Sequence, residues 1–275
     1  MIFLPRAKRF DWTNLGVRAA SAAVLAPAAL GAIWWGGWAF QLLVAVGVAL
    51  LAIEWGGMSA PRAPVRVAAA LTVAVLAGVF LAQLDQDALG WAACAVGAVA
   101  AALVARGVAE RPADAAFGVI YIAVPCLCLV WLRGTPHGQW WTLMLVAVTW
   151  AADICAFLVG SALKGPKLWP RFSPNKTWSG FAGGLLGAML AGLLMSLAPP
   201  FQLNPMAAAF IGLFGGLATM AGDLWESMLK RRFGVKDSGD LIPGHGGLLD
   251  RVDGLMFAVV VIAGARLINL LGWGP

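Results

Sequence analysis

From Ser227 to Asp253 the chain carries nine charged side chains and one of its two histidines, in a protein that is only 12% charged overall. Six of the thirteen acidic residues fall between Asp223 and Asp253: Asp223, Glu226, Asp237, Asp240, Asp250 and Asp253. Asp223 and Glu226 stand three apart, as do Asp250 and Asp253, so in a helix each pair shares one face. Two helix ends that offer carboxylates toward one pocket suit a hard divalent cation. Mg2+ typically takes one or two carboxylates together with substrate phosphates and water. Any single acid of this set reads as solvated, or as paired with the basic run Lys230, Arg231 and Arg232. The concentration of the whole group beside apolar segments is what points to chemistry.

Three further features share that chemistry. Asp153 lies inside an apolar stretch, Trp150-Ala-Ala-Asp153-Ile-Cys-Ala-Phe157, where an acid is costly unless it faces a polar cavity. The loop that follows runs Lys164-Gly-Pro-Lys167-Leu-Trp-Pro-Arg171-Phe-Ser173-Pro-Asn-Lys176-Thr177-Trp-Ser179-Gly180. It sets cations, hydroxyls and glycine just ahead of another apolar stretch, and such donors at a helix N-terminus address an anion such as phosphate. Basic inner loops are common, so this loop alone is only moderately specific. His245 sits in Pro243-Gly-His-Gly-Gly247, where glycine lets backbone approach a ligand. A histidine there can hydrogen-bond a phosphate, donate a proton, or serve only as a turn residue. His137 lacks such company.

The elements that must position these groups are apolar. The 275 residues are 61% hydrophobic with a mean hydropathy of +0.84, whereas a soluble domain is about 45–50% apolar and about a quarter charged. The predicted fold class is all-α: a polytopic integral membrane protein of about nine transmembrane helices with a cytoplasmic N-terminus. With about 20 apolar residues per span as the ruler, the spans fall near 17–35, 38–55, 66–83, 88–105, 114–132, 140–162, 180–198, 205–224 and 254–272. Orientation follows from the basic residues. A cytoplasmic N-terminus puts seventeen of the nineteen inside and leaves Arg133 outside and Arg266 within the last span. Topology thus accounts for the net charge of +6, and no nucleic-acid partner is expected.

Arg6, Lys8 and Arg9 before an apolar run imitate a signal peptide, but the run is long and further spans follow, so an uncleaved first helix is expected. Cys94, Cys126, Cys128 and Cys155 all lie in apolar runs and read as small packing residues. Gly183, Gly187 and Gly192 are expected to let neighbouring helices approach closely. Two regions are expected: residues 1–139 with about five spans, and a catalytic membrane region over 140–275 that carries the charged run 227–253.

That run resembles the signature of the phosphatidate cytidylyltransferases. The fixed positions are met by Ser227, Lys230, Arg231, Lys236, Asp237, Pro243, His245, Gly246, Gly247, Asp250, Arg251 and Asp253. Upstream, Gly222-Asp223-Leu-Trp-Glu226, the Ser173-Pro-Asn-Lys176-Thr177 loop and Asp153 also look like family elements, so the resemblance spans about residues 150–255. Phe157 stands where many relatives have Tyr, and Ser179 where an acid is frequent. Neither departure removes a residue assigned to metal or phosphate.

The resemblance implies that CTP and phosphatidate give CDP-diacylglycerol and pyrophosphate at the cytoplasmic face of a bacterial inner membrane, with Mg2+ and with a second cation allowed. It implies catalytic roles for Asp223, Lys230, His245, Asp250 and Asp253, of which Asp223, Asp250 and Asp253 are the expected metal ligands. The expected substrate-binding residues are Asp153, Ser173, Lys176, Thr177, Ser227, Arg231, Lys236, Asp237 and Arg251. Ser173, Lys176, Thr177 and Lys230 are given to the triphosphate. Membrane lipids are the other expected partner, and a homodimer is allowed.

Three rivals stand beside this reading. A CDP-alcohol phosphotransferase would need further spaced aspartates after Asp253-Gly254, where Leu-Met-Phe-Ala follows instead. A CTP-dependent enzyme acting on another membrane lipid phosphate or alcohol shares most of the chemistry. An ion-coupled transporter would use Asp153 as its coupling site, but polar groups here gather at one membrane face rather than at the midplane.

Overall fold

The computed structural model describes residues 12–107, 111–170, 172–199, 203–242 and 246–272. Among them nine helices follow in order: α1 (Trp12–Trp35), α2 (Gly37–Ser59), α3 (Pro64–Gln83), α4 (Asp87–Val104), α5 (Pro112–Gly134), α6 (Gly138–Leu163), α7 (Trp178–Met195), α8 (Pro205–Arg232) and α9 (Leu249–Leu270). Helices α2 to α9 are long and apolar enough to cross a membrane, and α1 adds the shorter apolar stretch Ala20–Trp35. The protein is a polytopic, all-α integral membrane protein. Arg6, Lys8, Arg9, Arg171 and His245 lie outside the described residues.

Local chemistry sets several helix ends. Pro64, Pro112 and Pro205 open α3, α5 and α8, where a missing N–H costs nothing and φ is already helical. Asn204 caps α8 by accepting from Met206 N at 2.8 Å, and Thr177 caps α7 by accepting from Gly180 N at 3.1 Å. Two boundaries differ from the apolar ruler. Helix α8 runs on to Arg232 rather than stopping near 224, because Lys230, Arg231 and Arg232 in its last turn complement the negative end of the helix dipole. Helix α9 starts at Leu249, five residues before its predicted start, so Asp250 and Asp253 are helical.

The loop 164–177 departs from the all-helical expectation. Strands β1 (Lys167–Trp169) and β2 (Ser173–Thr177) form a short antiparallel hairpin with Lys167 opposite Thr177 and Trp169 opposite Ser173. Ser179 donates to the Lys164 carbonyl, and Trp178 N donates to Pro166 O at 3.1 Å. The hairpin is thereby tied to the ends of both α6 and α7.

Small residues bring the last helices together. A Cβ on Gly183 would stand 2.5 Å from Val159 Cβ, one on Gly187 would stand 2.5 Å from Cys155 Sγ, and one on Gly192 would stand 3.0 Å from Gly212 Cα. Helices α6, α7 and α8 therefore approach at backbone distance, as the glycines predict. The N-terminal helices reach the same end of the bundle through Trp55, which is fully buried against Phe117, Tyr121 and Phe233 and donates its indole N–H to Asp114 O at 2.9 Å. Arg232 ion-pairs with Asp114, locking the end of α8 to the start of α5. Cys94 and Cys126 are buried, and all four cysteines are free.

Close approach makes a definite demand. Gly192→Val is expected to force α7 from α8 and to cost about 1–3 kcal/mol, read as a lower unfolding temperature in detergent. Gly31→Val, where a Cβ meets nothing within 4 Å, is the control and should leave that temperature unchanged.

Candidate active site

Helix α8 presents Asp223, Glu226 and Lys230 at spacings of three and four, on one face. Helix α9 meets that face almost backbone to backbone: a Cβ on Gly222 would stand 2.5 Å from Asp253 O, and one on Gly254 would stand 3.0 Å from Thr219 O. The acids of the two helices thereby come together. They divide into two groups.

The first group is closed. Lys230 Nζ ion-pairs with Glu226 Oε2 at 2.8 Å and with Asp250 Oδ1. The other Asp250 oxygen accepts from Ser238 N at 3.1 Å, Ser238 Oγ at 3.0 Å and Gly247 N at 3.3 Å. Ser238 Oγ also lies 3.1 Å from Glu54 Oε2, so its one proton is shared between two carboxylates. Glu54 belongs to α2 and is only 3% exposed. It accepts from Leu248 N at 2.6 Å and from Leu249 N at 2.7 Å. Helix α9 has no side-chain cap of its own, and Glu54 answers the amide donors that the first turn of any helix leaves over. Glu226 is 1% exposed, and its Oε1, like the Tyr121 hydroxyl, has no hydrogen-bond partner among the described residues.

The second group is open. Asp153 of α6, Asp223 of α8 and Asp253 of α9 interact electrostatically with one another and with Lys176 of β2, and Arg251 reaches Asp153 in the same way. Lys176 ion-pairs directly with Asp223. Asp153 is exposed in the bundle and lies ten residues before the end of α6, about 15 Å along the helix axis at the usual rise. Asp253 Oδ1 accepts from Gly254 N at 2.7 Å. Among the described residues, three carboxylates and two cations meet on this face.

The remaining predicted residues take varied places. Ser173 is half-buried on β2, and Thr177 is buried with its hydroxyl engaged by Gly180 N and by Ser179 Oγ at 3.1 Å. Ser227 is half-buried one helical turn past Asp223. Arg231 is exposed and donates from Nη1 to Val235 O at 3.5 Å, and Lys236 and Asp237 are exposed in the connection between α8 and α9. His245 falls outside the described residues.

Among the described residues, no three His, Cys, Asp or Glu side chains converge closely enough to enclose a metal ion by themselves. Hard oxygen donors nonetheless fit Mg2+, which keeps water and substrate phosphate in its shell and needs few protein ligands. Asp223 and Asp253 belong to that open face. Asp250 is taken up by Lys230, Ser238 and Gly247.

Sequence reasoning missed Glu54 and Asp114. The signal for Glu54 is the one that exposed Asp153, a single acid in an apolar span. A cavity of about 320 Å3 lies at the opposite ends of the helices, lined by Gln41, Asp85, Asp87 and Arg133 among others, and none of the predicted site residues lines it.

The chain matches the model of the Cytidylyltransferase family over residues 16–268. It is 40% identical over 265 residues to the phosphatidate cytidylyltransferases of Brucella suis biovar 1 and Brucella melitensis biotype 1, an alignment that covers 94% of each chain. The phosphatidate cytidylyltransferase of Staphylococcus saprophyticus is 39% identical over 150 residues, covering 54% of this chain and 58% of the relative. The charged run, the acids it brings together and a match over nearly the whole length agree: this chain belongs to the cytidylyltransferase family.

Proposed function

We propose that this protein transfers the cytidylyl group of CTP to phosphatidate, giving CDP-diacylglycerol and pyrophosphate, at the cytoplasmic face of a bacterial inner membrane. The observation that carries the reading is the meeting of Asp223 of α8, Asp253 of α9 and Lys176 of β2 through the Lys176–Asp223 ion pair and the close α8–α9 contact, with Asp153 of α6 on the same face. Support also comes from the names of the full-length relatives.

The chemistry asks little of a base. A phosphomonoester has a second pKa near 6, so phosphatidate is largely a dianion at neutral pH. Its oxygen attacks the α-phosphorus of CTP, the new P–O bond forms, and the bond to the bridging oxygen breaks to release pyrophosphate. The obstacle is the approach of two polyanions, so catalysis is chiefly positioning and charge stabilisation. Asp223 and Asp253, with Asp153 beside them, would hold Mg2+, which supplies charge neutralisation and Lewis-acid polarisation of phosphate oxygens when bound. Lys176 exchanges the Asp223 carboxylate for a CTP phosphate, and the hairpin fixes the lysine at that point. Arg251 adds positive charge from the first turn of α9. The acyl chains of phosphatidate stay in the bilayer and enter sideways between helices.

Pyrophosphate release from CTP by the purified protein in detergent should require both phosphatidate and Mg2+. Release that is indifferent to phosphatidate contradicts the assignment.

The two lysines should separate in the same preparation. Lys176→Met is expected to leave the unfolding temperature near the parent's, since a partly exposed pair contributes about 0–1 kcal/mol, while sharply raising the KM for CTP. Lys230→Met leaves the buried Glu226 and the half-buried Asp250 without their cation and should cost about 3 kcal/mol of stability, read by thermal unfolding. Equal unfolding temperatures for the two variants would contradict this division.

A further inference from the structure

The hydrogen bonds of Glu54 reach 194 and 195 residues along the chain, to Leu248 N and Leu249 N. Its place in α2 sets it five residues before the end of a membrane helix, in the half of the protein that carries no part of the family signature. Both of its oxygens are nevertheless spent on the loop and helix that present Asp250 and Asp253. The surroundings are shaped to admit it. A Cβ on Gly247 would stand 2.9 Å from Glu54 Oε2 and would collide with Ser238 Oγ, and one on Gly239 would stand 3.2 Å from Glu54 Cγ. The second glycine of the His-Gly-Gly sequence is thus required for the seat of this carboxylate.

We infer that Glu54 is a positioning residue for cytidylyl transfer, setting Asp250 and the first turn of α9 through Ser238 and the amides of Leu248 and Leu249. The route is continuous. Glu54 caps α9 in place of a local side chain, and the shared Ser238 proton couples it to Asp250 Oδ2. Asp250 in turn orients Lys230, which Glu226 holds from the other side. A glutamate is required because all the donors aimed at it are N–H or O–H groups. Glutamine at this position would turn an amide N–H2 toward at least one of them. A reacting geometry displaced by about 1 Å can cost about 100-fold in rate, and the supporting groups decide that displacement.

The inference rests on the cytidylyltransferase reading, and the assay of CTP- and phosphatidate-dependent pyrophosphate release separates the two. If the parent protein shows no such release, the functional reading fails. If the parent turns over, Glu54→Gln and Ser238→Ala are compared with it per folded molecule, the folded fraction being read by thermal unfolding in detergent. Glu54→Gln is expected to lower kcat by about 10–100-fold with the KM for CTP within a factor of about two, the pattern of a lost transition-state geometry. Glu54→Asp should restore part of the loss. The double variant Glu54→Gln/Ser238→Ala should be less impaired than the product of the single effects, because both act on one network. Parental kcat in folded Glu54→Gln overturns the inference. So does a loss that multiplies independently with that of Ser238→Ala. Should Glu54→Gln fail to fold, the comparison of Glu54→Asp with Ser238→Ala and their double variant decides by the same rule.

Discussion

An ionised carboxylate inside an apolar bundle is stable only when its oxygens are answered, and leaving one unpaired costs several kcal/mol. Glu54 meets that constraint with two backbone amides and one hydroxyl, from the segment that joins α8 to α9 and from the first residue of α9. Much of the site follows from this one demand. Gly239 and Gly247 are bare because the carboxylate occupies the space next to them. Ser238 bridges to Asp250, Asp250 fixes Lys230, and Lys230 neutralises Glu226. A connection that is rich in glycine and charge is thereby held at a membrane face by a helix from the other half of the chain.

The acids near this connection divide according to how their charge is met. Glu54, Glu226 and Asp250 have fixed partners and form a frame. Asp153, Asp223 and Asp253 share Lys176, and Arg251 reaches Asp153. A preorganised frame beside an open face of carboxylates suits the joining of two phosphorylated substrates, where fixed groups aimed at developing charge supply most of the stabilisation. The hairpin β1–β2 contributes the cation that changes partner in the proposed reaction. Lys176 has a carboxylate partner at present and a phosphate partner in the proposed complex.

Much of this was legible in the sequence, for identifiable reasons. Membrane helices announce themselves by about 20 apolar residues, and Asp153 stood out as an acid within one. The spacing of Asp223, Glu226, Asp250 and Asp253 placed two pairs on helix faces, and α8 and α9 carry them so. The end of α8 was not legible, because hydropathy stops at the first charges whereas backbone hydrogen bonding continues through Arg232. The hairpin was not legible either: Lys-Leu-Trp and Ser-Pro-Asn-Lys-Thr lack the apolar alternation that marks a half-buried strand. Glu54 was visible as an isolated acid, but its partners lie 184 to 195 residues away, and no local pattern encodes such a pairing.

In the proposed mechanism the acids serve two different ends, Asp253 facing the cation and Asp250 holding the frame. Binding of Mn2+ as a paramagnetic stand-in for Mg2+, measured by electron paramagnetic resonance on detergent-purified protein, tests it directly. Asp253→Asn should abolish measurable binding while the protein remains folded, and Asp250→Asn should retain it in its folded fraction. Retention by Asp253→Asn together with loss by folded Asp250→Asn would contradict the division.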